Sequence, residues 1–196
     1  MIAIRIPDTR KLMSDLLSRD VFDTFLLGEA QITTYTTFRI DGTWHEDYFK
    51  ESPQKAASVQ SQRQNAAGND AGRAGLFSAD LDKHEPSPAR PQEPTWKRVR
   101  PIVLDIVRGK HSPLSFRIIL KLNDRAIAGV LKSSGAPYTP DQVDGLFMNI
   151  CYQMGEITCT SGTSMKTFTL DKSLDHAWDD MMLKFFASRG IEVEKL

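Results

Sequence analysis

Between Val143 and Arg189 the apolar spacing changes from period two to a helical period, and no other feature constrains the fold as much. Leu146, Met148, Ile150 and Tyr152 fall on one face of an alternating segment, the pattern of a half-buried strand. With Met154-Gly155 as the loop, Ile150 stands opposite Cys159 and Tyr152 opposite Ile157. Every large apolar side chain of both strands then shares a face, which is the argument for that register. A second turn at Gly162-Thr163 brings back a third strand, Lys166 to Leu170, with Phe168 across from Ile157. Asp171 or Ser173 then caps a helix. Leu174, Trp178, Met181 and Phe185, widened by Ala177 and Met182, form its apolar stripe, and Arg189-Gly190 ends it. A one-faced meander next to a one-sided helix predicts an α+β fold with a mainly antiparallel sheet.

The start of the chain has a similar order. Ile2, Ile4 and Ile6 alternate as a strand; Leu12, Met13, Leu16 and Leu17 mark a helix from about Asp8 to Ser18. Phe25 begins a further strand, Gly28-Glu29 offers a turn, and Ile32 to Ile40 has the threonine and aromatic content of a pleated surface. Asp41-Gly42 turns again, with Thr43 to Phe49 as the returning strand.

From 50 to 94 Gln, Ala, Ser and Pro prevail, too polar to offset the entropy of ordering, so the segment is expected to be a disordered insert in a single domain ordered over 1–49 and 95–194. Leu76-Phe77 and Leu81 are its apolar spots, an incidental group or a docking motif. Trp96, Val99, Val103 and Val107, with Ile102 and Ile106, then predict an extra helix at about 95–109. Ser115 to Leu122 reads as a strand and Asp124 to Ser133 as a short helix, before the meander and the helix at about 172–189.

Two halves of the form β-α-β-β-β emerge, ending Thr37-Phe38-Arg39-Ile40-Asp41 and Thr167-Phe168-Thr169-Leu170-Asp171. In element order this resembles the half-domain of DNA sliding clamps. The resemblance implies helices facing DNA, for which the first helix offers Arg10, Lys11 and Arg19 and the second Arg125 and Lys132. Over the whole ordered chain, the phrases Ile32 to Phe38, Trp96 to Pro101, Gly109-Lys110 with Pro113 to Phe116, and Lys166 to His176 resemble a family of small bacterial proteins classed as a domain of unknown function. That resemblance implies no activity, cofactor or catalytic residue.

The chain is neutral, with 25 basic and 25 acidic residues, so charge informs only locally. Between 97 and 121 seven cations, Lys97, Arg98, Arg100, Arg108, Lys110, Arg117 and Lys121, face a single acid, Asp105. Such a segment suits phosphate contact, although cations at a helix end also satisfy the helix dipole. Asp175, His176, Asp179 and Asp180 offer a metal site on His176 and Asp180, four residues apart; acids in a first turn also suit the dipole. His45, Glu46 and Asp47 form a looser cluster. The serines around Ser161 to Ser164 lack a nucleophile-elbow setting, and Cys151 and Cys159 point to opposite faces, so neither a nucleophile nor a disulfide is expected.

The opening Met1 to Pro7 is too short for a signal segment and no stretch approaches the roughly 20 apolar residues of a membrane span, so a cytoplasmic protein without a membrane partner is expected. The leading expectation is a non-catalytic binding or scaffold module without a cofactor, its partner nucleic acid, another polyanion or a protein. The alternative is a metal-dependent enzyme.

Overall fold

The computed structural model describes residues 1–45 and 93–196. In chain order these form β1 (Ala3–Ile6), α1 (Thr9–Leu17), β2 (Leu26–Thr33), β3 (Thr37–Asp41), α2 (Trp96–Val107), β4 (Ser115–Lys121) and α3 (Asp124–Ser134). A 3-10 turn (Pro140–Gln142), β5 (Val143–Gln153), β6 (Glu156–Met165), α4 (Ser173–Ser188) and β7 (Glu194–Lys195) follow. The strands build one antiparallel sheet in the order β3-β2-β4-β5-β6-β1-β7. The fold is α+β, as the sequence predicts.

Local chemistry sets the element ends. Asp8 caps α1 by accepting from the Lys11 amide at 2.9 Å, and Asn123 caps α3 by accepting from Ala126 at 2.8 Å. Gly135 ends α3 in the left-handed region at φ 66°. Met154 and Gly155, at φ 53° and 87°, give the β5–β6 turn the twist that suits a two-residue hairpin. The register is the predicted one, Ile150 against Cys159 and Tyr152 against Ile157.

That alternation extends across the sheet. Ile4 and Ile6, Ala30 and Ile32, Phe116, Ile118 and Leu120, Leu146, Met148 and Ile150, and Ile157 and Cys159 all lie on one face and are buried. They join Leu12 and Leu16 of α1, Trp96 and Val103 of α2, Ile127 and Val130 of α3, and Trp178, Met182 and Phe186 of α4 in one core. All four described helices therefore cover the same face. Two indoles fasten this layer: Trp96 Nε1 donates to the Leu16 carbonyl at 2.8 Å and Trp178 Nε1 to the Phe147 carbonyl at 2.9 Å.

Several expectations need correction. Residues 166–170 form no strand: Phe168 and Leu170 are 89% and 82% exposed. β6 runs straight through Gly162 and Thr163, which pair with Phe147 and Leu146, and its outer edge is filled by β1, leaving no edge for a third meander strand. Gly28-Glu29 is likewise no turn but a bulge within β2, where a Cβ on Gly28 would crowd Ile119 at 3.2 Å. The hairpin turns instead at Thr34–Thr36, closed by Thr34 N to Thr36 O at 2.8 Å. The α4 stripe is Leu174, Trp178, Met182 and Phe186. Met181 and Phe185 are half-buried at its flank, and Phe185 packs edge-on against Phe22 and Phe25 at 5.3 and 5.5 Å. Finally, the two halves share the order strand, helix, strand, strand but are not equivalent in the sheet. β4, β5 and β6 are neighbours, whereas β1 leaves β2 and β3 to pair with β6. Gly42 to His45 are irregular, and the rest of the strand expected to Phe49 lies outside the described residues.

The expected insert also falls outside the described residues except for Glu93 and Pro94, as do Leu76, Phe77 and Leu81. Its ends are held side by side on β2: Gly42 N donates to Gly28 O at 2.9 Å and Leu27 N to Pro94 O at 2.8 Å. A short linker therefore spans the gap. Replacing 46–92 with a few Gly-Ser residues should leave a cooperative denaturant transition and shift stability by no more than about 1 kcal/mol; loss of cooperativity would make the segment part of the fold. By contrast, Trp178→Ala should destabilise by about 3–5 kcal/mol in the same measurement, because a buried indole and its hydrogen bond are both removed.

Candidate functional site

The structure divides the seven cations of the basic segment into two groups. Three are engaged. The Arg100 guanidinium donates to the Arg19 carbonyl and lies 3.5 Å from Asp23. Arg117 is on the helix-free face of β4, 4.0 Å from Glu29, a carboxylate that also holds Arg39 at 3.0 Å. Lys121 pairs with Glu93 at 2.8 Å and sits 5.9 Å from the Phe147 ring centroid.

The other four, Lys97, Arg98, Arg108 and Lys110, are exposed and have no ion partner among the described residues. α2 buries Trp96, Val99 and Val103, so its solvent side carries Lys97, Arg98, Pro101, Ile102, Asp105 and then Arg108. At 1.5 Å per residue the two ends of this strip are about 16 Å apart. Arg108 is the C-terminal cap residue, where the helix dipole alone favours a cation.

The loop after α2 brings in groups that the sequence pattern concealed. Leu114 N donates to Thr33 O at 2.8 Å, seating the loop against the β2–β3 turn. Leu114 and Tyr35 are both exposed there, Tyr35 at 92%, and the Tyr35 ring meets Phe38 edge-on at 6.2 Å. Tyr35 sits in a run of threonine and aromatics that reads as continuous strand, so only the position of the turn reveals it as a projecting group.

The structure places the remaining candidates apart from one another. Asp175 and Asp179 turn toward β6, accepting from the Thr163 and Ser161 hydroxyls, while His176 and Asp180 are exposed on the solvent side of α4. The four are thus split between two sides of the helix, and the described residues contain no group of three or more metal-ligating side chains. Of the clamp-like cations, Lys11 and Arg19 are committed to Asp15, a carboxylate only 1% exposed, at 3.0 and 3.1 Å. Arg10, Arg125 and Lys132 are exposed. His45 is exposed, and Glu46 and Asp47 lie outside the described residues. The cysteines are free and on opposite faces; burial pushes both thiols up, with Arg117 opposing this only at Cys151, so neither is an activated thiolate.

A cleft of about 240 Å³ lies beside the 166–172 loop. It is smaller than the roughly 300 Å³ at which small-molecule sites begin. Its polar groups hydrogen-bond one another: Tyr138 donates to Asp171 at 2.9 Å, and Asp171 also accepts from the Ser173 amide at 2.9 Å.

The family model described as "Family of unknown function (DUF5721)" matches residues 15–66 and 74–194, and the chain belongs to that family. No curated protein and no solved structure matches it. No described helix is long and apolar enough to cross a membrane.

Asp175 gives the acid cluster a measurable property. Burial raises its pKa, but the Thr163 hydroxyl and Lys172 outweigh burial and hold the carboxyl below its ordinary value. A depressed folded pKa contributes stability above the unfolded value, lost as pH falls through the folded one. Thr163→Val should therefore cost about 1.5 kcal/mol near neutrality and progressively less below the ordinary carboxylate range, in urea titrations across pH. An equal cost at every pH would mean the hydroxyl acts through packing alone.

Proposed function

We propose that this member of the family is a non-catalytic binding module that contacts polyanions, nucleic-acid phosphates first, through the solvent side of α2 and the loop after it. One observation carries the reading. The cations of the basic segment that lack an ion partner among the described residues all belong to one helix and its C-terminal loop. An unpaired cation gives up only water when it meets a phosphate, and it releases the counterions condensed on the nucleic acid. A paired cation such as Arg117 must first leave Glu29, so it contributes little. Tyr35 and Leu114 beside the loop add an exposed ring and an apolar contact, and an aromatic near free cations suits an unstacked base. We also read the protein as cytoplasmic, a compartment with which its two free thiols are compatible.

Fluorescence anisotropy with labelled duplex and single-stranded DNA at several salt concentrations tests this. Binding should be weak, indifferent to sequence, and steep in salt, with a slope of about −0.9 per duplex phosphate contacted. Arg108→Ala with Lys110→Ala should reduce the slope by about two, and Lys97→Ala with Arg98→Ala by a similar amount. Arg117→Ala should leave it unchanged. No binding at about 20 mM salt, where screening is weakest, would overturn the proposal.

A further inference from the structure

Among the described residues the sheet ends at β3, and the geometry of that edge points to a partner. Thr34 N donates to Thr36 O, and Gly42 N to Gly28 O at 2.9 Å, which fixes the hydrogen-bonding phase of the β2–β3 ladder. Even-numbered residues of β3 turn their backbone toward β2. Thr37, Arg39 and Asp41 therefore present N–H and C=O groups outward, along a strand with no proline and with no described strand beyond it. Phe38 and Ile40, on the helix-covered face, are only half-buried.

We infer that β3 pairs antiparallel with β3 of a second copy of this chain, about a two-fold axis through Ile40. Side chains keep to their faces only if the strand pairs with itself about a residue, and the charges discriminate between the centres. Pairing about Arg39 sets guanidinium against guanidinium. Pairing about Phe38 sets Arg39 against Thr37 and Asp41 against Tyr35, with no ion pair. Pairing about Ile40 sets each Arg39 opposite Asp41 of the second copy, Ile40 on Ile40, and Phe38 opposite Gly42. Gly42 is a position that cannot hold a side chain, since a Cβ there would collide with the Leu27 carbonyl.

The charge match also answers a mismatch within the chain. Asp41 stands directly opposite Glu29, a like-charge pair, and among the described residues accepts only from the Thr43 amide, while Arg39 is held by Glu29. In the pairing about Ile40 each Asp41 gains a facing guanidinium, whose five N–H donors allow it to keep Glu29 while meeting Asp41, and the outward N–H and C=O groups of Arg39 and Asp41 gain partners. The arrangement leaves the α2 strip outside the new ladder and is independent of polyanion binding.

Sedimentation of the full-length protein over about 1–200 µM should show a reversible dimer, the range in which a short isologous ladder associates. Arg39→Asp should weaken association about tenfold or more by placing acid against acid, Asp41→Arg should do the same, and the double exchange should restore it. In a Cys151→Ser background, Ile40→Cys should oxidise to a covalent dimer, because facing side chains are closest at a non-hydrogen-bonded pair, whereas Arg39→Cys should not. Should a charge reversal weaken the fold itself, the cross-link still reads the register. A monomer across the whole range, a dimer indifferent to all three charge variants, or cross-linking through position 39 in place of 40 would each overturn the inference.

Discussion

Burial of one face of the sheet is the constraint on which the rest of this structure depends. The strands alternate so consistently that Ile32, Phe116, Ile150, Ile157 and Ile4 form a continuous apolar surface across five neighbouring strands. At about 25 cal/mol per Å², leaving such a surface in water is far costlier than the marginal stability of a domain. Helices from four separate parts of the chain therefore converge on one side. The buried indoles then fix where two of them sit, because each must satisfy its N–H on a specific carbonyl, Leu16 for Trp96 and Phe147 for Trp178.

The same constraint explains the least local feature of the fold. β5 and β6 form a hairpin through a tight turn, but β6 has a second edge that its own half does not cover. β1 covers it, with Ile4 and Ile6 placed opposite Cys159 and Ile157, and β7 closes the far side of β1. Chain closure over such a separation slows folding more than it lowers stability. It also makes the N-terminal strand an interior member of the sheet, while β3, in the same half, is an edge among the described residues.

How much was legible in the sequence follows from the range of the interactions. The β5–β6 register was readable because a two-residue turn leaves few registers and only one aligns the apolar side chains. The helix ends were readable where a cap is local, as at Asp8, Asn123 and Gly135. Phe168 and Leu170 misled because alternation marks a strand only if an edge is free to receive it. Gly28 misled because a glycine serves a turn and a bulge equally well, and the choice rests on Ile119 of a strand distant in sequence. The α4 stripe was readable as a stripe but not its centre, since Met181 and Phe185 lie on its flank, where Phe22 and Phe25 complete the packing around Phe185.

The candidate site shows the same limit in electrostatic form. A run of cations in a sequence has a net charge, but a partner sees only charges that nothing in the fold has already neutralised. Asp23, Glu29 and Glu93 remove Arg100, Arg117 and Lys121 from that count, and each acid comes from a distant part of the chain. The pattern of alternation decided this in advance: Arg117 and Lys121 alternate with the buried Phe116, Ile118 and Leu120, so they had to project from the helix-free face, away from α2. What remains is a smaller, better-defined positive strip on α2 and the loop after it, whose cations have no ion partner among the described residues.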